Sequence, residues 1–531
     1  MRAAAKHLTT TGTMLTARNV YGKMHPLPKV PPMEVRYAPM TPGNVSTMKA
    51  LSIFGCGSGA GKSWITTALG AWLRTQGVRV APFKAQNMSN NAWVTFDGGE
   101  IGRAQAVQAE ACGLAPTVQM NPILLKPSGA QGSQLIVLGQ AQGHCPAVDY
   151  YRHFDRLWQT VTAVLDDWRG RCDVLLMEGA GSPVELNLLS RDLVNMRPCR
   201  YVDGRWLFVG DIDRGGIFAQ LTGAWSLFSQ ADRARGLGAI INRFRGDMTL
   251  FSDPQKWLEP HAPGFAVLGT LPFRADLRPE EEDGLTSDDL VRGTGDVMAW
   301  VRFPHLSNLT DCQPWWADSG VELRWAVTPR ELLDARVIVL PGTKNTMADL
   351  RWLRASGLAD AIIAAANRGA LIIGICGGFQ MLGTALVDRS GVAGDAGSEP
   401  GLGLLPAETV FSSSKTLRQV TARCGEGEWQ AYEIHMGLTR ATSPVEALQI
   451  VRDDAGERPE GIQFNNIWGT YLHGWFELPR LRERVARAGG MGMHRAHPVP
   501  WAEQRMDVYH SMAEHLVTHV NLDPVKRYLC L

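Results

Sequence analysis

The segment Gly55-Cys-Gly-Ser-Gly-Ala-Gly-Lys-Ser63, set directly behind the apolar run Leu51-Ser-Ile-Phe54, constrains this chain more than any other stretch. So much glycine offers nothing to bury and disfavours helix and strand alike, so the segment is a loop. After it, Ile65, Leu69, Trp72 and Leu73 share one helical face and Gly77 is suited to stop it, while Val78-Arg-Val-Ala-Pro-Phe83 predicts a second strand. Strand, glycine loop, helix, strand is the setting of a phosphate-wrapping loop, where backbone N–H groups and a helix N-terminus face negative oxygen. Gly55, Gly59 and Gly61 then shape the loop, Lys62 is a cation for terminal phosphates, and the Ser63 hydroxyl is an Mg²⁺ ligand.

Three later strands end in polar residues. Val174–Met177 runs into Glu178, Leu207–Val209 into Asp211 and Asp213, and Ala239–Ile241 into Asn242. Ligands of open α/β sheets gather at the carboxyl ends of strands, so these residues are expected near the phosphate loop, with Asn242 at the nucleotide. Glu178 is the candidate second Mg²⁺ ligand, since phosphoryl transfer needs a metal to offset charge on the transferring group. Asp211 and Asp213 read equally well as helix caps. Lys84, just past the second strand, suits a substrate carboxylate, although a solvated surface lysine is the commoner case. Gln86 and Asn87 join it as substrate-binding candidates.

From about Asp296 strand–helix alternation begins again. Val337–Leu340 leads into Pro341-Gly-Thr-Lys-Asn-Thr346, and Ala370–Ile375 into Gly374-Ile-Cys376-Gly-Gly378. The second is a glycine-flanked cysteine at a strand-to-helix junction, the pattern that exposes a nucleophile on a strained turn and aims helix N–H groups at an oxyanion. A nucleophilic cysteine needs a base. His473, at the end of Gly469-Thr-Tyr-Leu-His473, is the best candidate and His435 its rival.

Length and charge bound the rest. A chain of 531 residues exceeds a single core and predicts at least two domains, divided as 49–292 and 296–531. With 53 Lys plus Arg against 52 Asp plus Glu, the net charge of +1 gives no overall attraction to nucleic acid or anionic lipid. No apolar run has the length of a membrane span. Nine scattered cysteines without a Cys-x-x-Cys pair point to a reducing cytoplasm, and no Cys/His spacing suits zinc. Residues 1–48 hold one acid, Glu34, and a proline-rich run. They are expected to be a disordered extension or sequence upstream of the true start, with a faint likeness to a transit peptide that the prolines oppose.

Counted from Gly55, five residues precede Gly61, and the loop then resembles that of dethiobiotin synthetase-like ATP enzymes. Gly374–Gln380 with Tyr471-Leu-His473-Gly resembles class I glutamine amidotransferases. The two together, with Phe83–Met88, Asp97–Gln105, Asn121–Pro127 and Tyr432–Gly437, resemble the cobyric acid synthase family over the whole chain after residue 48. The resemblance implies two doubly wound α/β domains, a P-loop NTPase-like parallel sheet followed by a flavodoxin-like amidotransferase sheet. It implies ATP, Mg²⁺ bound through the nucleotide, and glutamine as nitrogen donor. The implied reaction is amidation of the b, d, e and g carboxylates of a corrinoid, adenosylcobyrinic acid a,c-diamide. Cys376 would form a thioester, His473 would carry the proton, and N–H groups near Gly342 and Gly377 would hold the oxyanion. The a,c-diamide synthase and a non-catalytic ParA-like nucleotide switch are the alternatives, and a homo-oligomer is left open. Class I enzymes carry an orienting glutamate two positions after the histidine. Trp475 stands there in this chain, as in the cobyric acid synthase group, and Glu433 is the candidate substitute.

Overall fold

The computed structural model describes residues 48–127, 132–146, 150, 152–280, 290–392 and 396–531. The expected N-terminal extension lies outside them, apart from Met48.

The first half is built on six parallel strands. Across the sheet they run Val267–Pro272, Gly236–Phe244, Arg205–Asp211, Lys49–Gly55, Val174–Glu178 and Val80–Phe83. The central strands read as continuous apolar runs because helices cover both faces. Pro82 is tolerated because its strand is the outermost and pairs on one side only. Order in the sheet reverses at Lys49–Gly55, so the glycine loop after it opens into the crevice where such sheets hold ligands. The helix Lys62–Thr75 buries Ile65, Leu69, Trp72 and Leu73 as expected, and Gly77 takes a φ of 73° just beyond its end. A four-stranded sheet (Gln86–Met88, Ile123–Pro127, Gly132–Val137, Gln140–Pro146) and a two-stranded ribbon (Ala92–Val94, Glu100–Gly102) extend this half toward the second.

The second half centres on a seven-stranded sheet. Val321–Ala326, Asp296–Val301, Val337–Leu340, Leu371–Ile375 and Ile467–Thr470 are parallel, and Val291–Gly293 and Ile462–Phe464 close its edges antiparallel. The long hairpin Ala407–Cys424 and Gly427–Ala441 dominates a further mixed sheet that ends on Leu472–His473. Both halves are thus doubly wound α/β units, as the motifs predict. Among the described residues the cysteines are free and no helix is long and apolar enough to cross a membrane.

One expectation fails. The sequence assigns 296–531 to the second half, yet the helices Trp501–His519 and Asp523–Leu529 pack on the first sheet. Tyr509, Met512, Leu516, Val520, Val525 and Leu529 share one buried cluster with Leu51, Leu69, Leu207 and Ile240. The chain crosses back because the helix Lys62–Thr75 leaves an apolar flank that its own half does not cover. Leu516→Ala is therefore expected to cost about 2–5 kcal/mol, read as a lower urea midpoint. An unchanged midpoint would contradict the packing.

Candidate active site

In the second half, strand pairing brings the nucleophile and base candidates together. Leu371–Ile375 and Ile467–Thr470 are adjacent and parallel, with Ile375 opposite Thr470, so Cys376 and His473 leave neighbouring strand ends on the same edge. The Cys376 N–H donates to the Thr470 carbonyl at 2.8 Å and locks the two ends together. Cys376 has φ 53° and ψ −108°, the strained turn that projects a side chain from a strand-to-helix junction. Gly378 is obligatory here, because a Cβ on it would sit 1.9 Å from the Leu340 carbonyl oxygen. The helix Gly377–Leu382 begins at once, and its first-turn N–H groups face the thiol's end of the helix. Gly342, at the end of the neighbouring strand, lies so close to His473 that an added Cβ would come 3.1 Å from the ring Cε1. The two oxyanion candidates therefore flank the thiol and the imidazole.

His473 is buried and stacked on Tyr432 with ring centroids 5.2 Å apart, close to the Cys376 side chain, whose Sγ donates to the Ile434 carbonyl at 3.4 Å. Its Nδ1 lies 2.7 Å from Asp311 Oδ2, while the other oxygen of Asp311 accepts the Gly474 N–H at 2.9 Å. A carboxylate only accepts, so Nδ1 carries the proton and Nε2 is left to face the thiol. Burial alone would depress the His473 pKa, but the Asp311 carboxylate and the Cys376 side chain raise it to about 10. Asp311 thus supplies the orienting acid. Glu433 does not: its carboxylate pairs with Arg458 at 2.7 Å instead. His435 is not a base candidate either. Its Nδ1 bonds the Gly437 carbonyl at 2.9 Å, its ring stacks on Tyr471 at 3.7 Å, and burial lowers its pKa to about 4.

The first half assembles the second centre. Gly61 has φ 98°, and a Cβ on it would lie 2.0 Å from Asn242 Nδ2, so only glycine fits between the loop and the adjoining strand. Asn242 donates to the Ala60 carbonyl at 3.1 Å and braces the loop. Lys62 Nζ is folded over the loop, donating to the Gly57 and Gly181 carbonyls at 2.8 and 3.1 Å. Ser63 Oγ donates to Glu178 Oε1 at 2.9 Å, so the two Mg²⁺-ligand candidates meet. Burial works against the Glu178 charge, but Lys84 at 2.9 Å, with Gln108 and Lys62, holds its pKa below the ordinary value. Lys84 accordingly neutralises Glu178 and is not a free cation for a substrate carboxylate. Gln86 accepts from the Tyr150 hydroxyl at 2.7 Å, and Asn87 donates to Gln105 at 2.8 Å, so these two candidates are also bound within the protein. Asp211 and Asp213 cap no helix: Gly216 precedes the helix Ile217–Leu227, and Asp211 pairs with Arg243 at 3.1 Å while Asp213 pairs with Arg245 at 3.2 Å. Arg214, not singled out in the sequence, reaches over the loop at Gly59.

Both halves match known protein families. Residues 51–286 match the CobQ/CobB/MinD/ParA nucleotide binding domain, and residues 297–480 match the CobB/CobQ-like glutamine amidotransferase domain. The cobyric acid synthase of Variovorax paradoxus is 46% identical over 448 residues, covering 81% of this chain and 91% of that protein. That of Roseiflexus castenholzii is 42% identical over 496 residues, covering 90% and 99%. That of a Synechocystis strain is 40% identical over 506 residues, covering 91% and 99%. The chain belongs to the cobyric acid synthase family. In this chain a nucleotide-binding domain is fused to a glutamine amidotransferase domain.

The Asp311–His473 pair has a pH signature. The folded-state pKa is raised from 6.5 to about 10, so its contribution to stability is complete below pH 6.5 and is lost as pH climbs toward 10. Asp311→Asn removes the cause of that rise. The stability gap between wild type and variant, read from urea midpoints, is expected to be widest below pH 6.5 and to shrink toward pH 10. A constant gap across that window would refute the assignment.

Proposed function

We propose that this protein uses ATP and glutamine to amidate the b, d, e and g carboxylates of adenosylcobyrinic acid a,c-diamide, yielding adenosylcobyric acid in cobalamin biosynthesis. The observation that carries this reading is a thiol on a strained elbow beside a carboxylate-held imidazole, in one compact unit with a phosphate loop. A nucleotide switch alone would leave that thiol centre idle.

Cys376 Sγ attacks the side-chain amide carbon of glutamine while His473 Nε2 holds the proton taken from the thiol, as the imidazolium that Asp311 stabilises. N–H groups at Gly342 and Gly377 take the charge that develops on the amide oxygen. His473 gives the proton to the departing nitrogen, ammonia leaves, and water activated by the same imidazole hydrolyses the thioester to glutamate. In the other half, Lys62 and the loop amides hold the nucleotide phosphates. Two oxygen donors, Ser63 Oγ and Glu178, suit Mg²⁺ and would hold it there, where it offsets charge on the transferring phosphoryl group. A carboxylate is a poor electrophile because oxide would have to leave. Once phosphorylated, the same carbon offers ammonia a phosphate leaving group, and the amide forms.

Cys376→Ala is expected to lower glutamine-supported amidation by at least about 10³-fold while ammonia-supported amidation continues. Lys62→Ala is expected to stop synthesis with either nitrogen source. Equal loss of both activities in the cysteine variant, or survival of the ammonia reaction in the lysine variant, would overturn the two-centre reading. Mass spectrometry of the corrinoid product decides the substrate: four added amides are expected, and amidation confined to positions a and c would refute it.

A further inference from the structure

Between the strand Val174–Glu178 and the helix Met196–Tyr201 the chain makes a loop with a fixed base and an exposed apolar tip. At the base, Asn195 clamps the opposite limb: the Ala180 N–H donates to its Oδ1 at 3.1 Å, and its Nδ2 donates to the Ala180 carbonyl at 2.9 Å. Asp192 accepts the N–H groups of Val194, Asn195 and Arg197 at 3.0, 2.7 and 2.8 Å. Two tight turns shape the tip, with the Leu188 N–H on the Glu185 carbonyl and the Arg191 N–H on the Leu188 carbonyl, each at 2.9 Å. Polar groups thus hold the loop, and its leucines are left outside the core. Leu186, Leu188 and Leu189 are 63%, 41% and 47% exposed. A lone exposed leucine means little, but three within four residues of one tip make an apolar patch of the kind that marks a binding surface.

The loop starts at the phosphate site. Gly181, on its first limb, gives its carbonyl to Lys62 at 3.1 Å, and Glu178, at the end of the preceding strand, accepts from Ser63. The tip therefore stands a few residues from where a carboxylate is phosphorylated. The polar substrate candidates nearby are engaged within the protein: Lys84 with Glu178, Gln86 with Tyr150 and Asn87 with Gln105. The substrate's own chemistry favours an apolar seat. Its four carboxylates stand at different places on the rim of one ring, and each must come in turn to the same Lys62 and Glu178. Directional hydrogen bonds to the ring would hold one orientation and serve one arm. Apolar contact has no preferred direction, so it keeps its strength as the ring is turned. The methyl-bearing faces of a corrin suit such a surface.

We propose that Leu186, Leu188 and Leu189 form the surface on which the corrin ring rests while its carboxylates are presented, one after another, to the phosphate site. This rests on the function proposed above.

The test measures the KM for adenosylcobyrinic acid a,c-diamide, with ammonia as nitrogen source so that the amidotransferase centre takes no part. Because the three side chains are exposed, Leu186→Ser, Leu188→Ser and Leu189→Ser are expected to keep the wild-type urea midpoint. Each raises that KM about 3- to 10-fold, as loss of part of one leucine's burial implies, and the triple variant raises it about 30-fold or more. The KM for ATP and kcat change little, which a merely structural defect would not spare. Leu188→Met keeps an apolar contact and the wild-type KM. Mass spectrometry separates a non-directional surface from a seat for one arm: products with one, two and three added amides keep their wild-type proportions, because every step is slowed alike. An unchanged KM for the corrinoid in the triple variant would overturn the inference, and so would slowing confined to one of the four amidations. Loss of a dimer by sedimentation in the triple variant, with that KM unchanged, would assign the tip to a second copy and overturn it too. A wild type that adds no amide to this corrinoid with either nitrogen source would instead overturn the proposed function, and this surface with it.

Discussion

The bond between Asp311 and Nδ1 of His473 is the contact on which the amidotransferase centre depends. Without it, a buried imidazole prefers to be neutral and is free to present either nitrogen to the thiol. With it, one tautomer is fixed, the ring is held in the plane of its stack on Tyr432, and positive charge is sustained where burial alone would expel it. Asp311 also accepts the Gly474 N–H, so the same carboxylate fixes the backbone turn that follows His473. Two segments 162 residues apart in the chain are thereby joined at one atom pair.

The two halves are tied together by buried charge as well as by apolar packing. Glu100, on the ribbon of the first half, pairs with Lys126 at 2.7 Å and with Lys415 from the long hairpin of the second. Burial penalises that carboxylate, yet the two ammonium groups keep its pKa at about 2. Nearby, Lys344 donates to Gln134 across the same junction, and burial with Lys126 and Lys415 brings its pKa down to about 7. Buried ion pairs of this kind add little net stability compared with apolar packing, but a mispaired one is costly, so they fix how the halves dock. Tyr432 shows the consequence: it stacks on His473 and also meets Trp93 of the first half at a tilt of 56°, with ring centroids 4.6 Å apart, so both halves contribute to the surroundings of the base.

Each centre is built around a glycine-rich turn at the end of one strand, and this is why so much of each was legible. Gly55–Ser63 and Gly374–Gly378 are local devices: the glycines, the functional side chain and the following helix are contiguous, and their geometry follows from the backbone they require. Glu178 and Asn242 were legible for a related reason, since parallel strands deliver their last residues to one edge of a sheet. What could not be read was pairing. Lys84 gave no sign that Glu178 would claim it. Glu433 was a reasonable acid by position, but its strand register turns it to Arg458. The C-terminal helices carried an apolar face with no indication of which half would cover it, because a hydrophobic stripe specifies burial and not a partner.

The sequence by itself determined two α/β units, a phosphate loop, a cysteine on an elbow and a histidine at the right strand end, because each is written in adjacent residues whose conformational limits are local. Only the tertiary structure decided that Asp311 holds that histidine and that the last helices belong to the first core. Those are meetings between distant segments. They are set by which buried donor finds which acceptor once the chain has closed on itself, and no spacing along the chain records that choice.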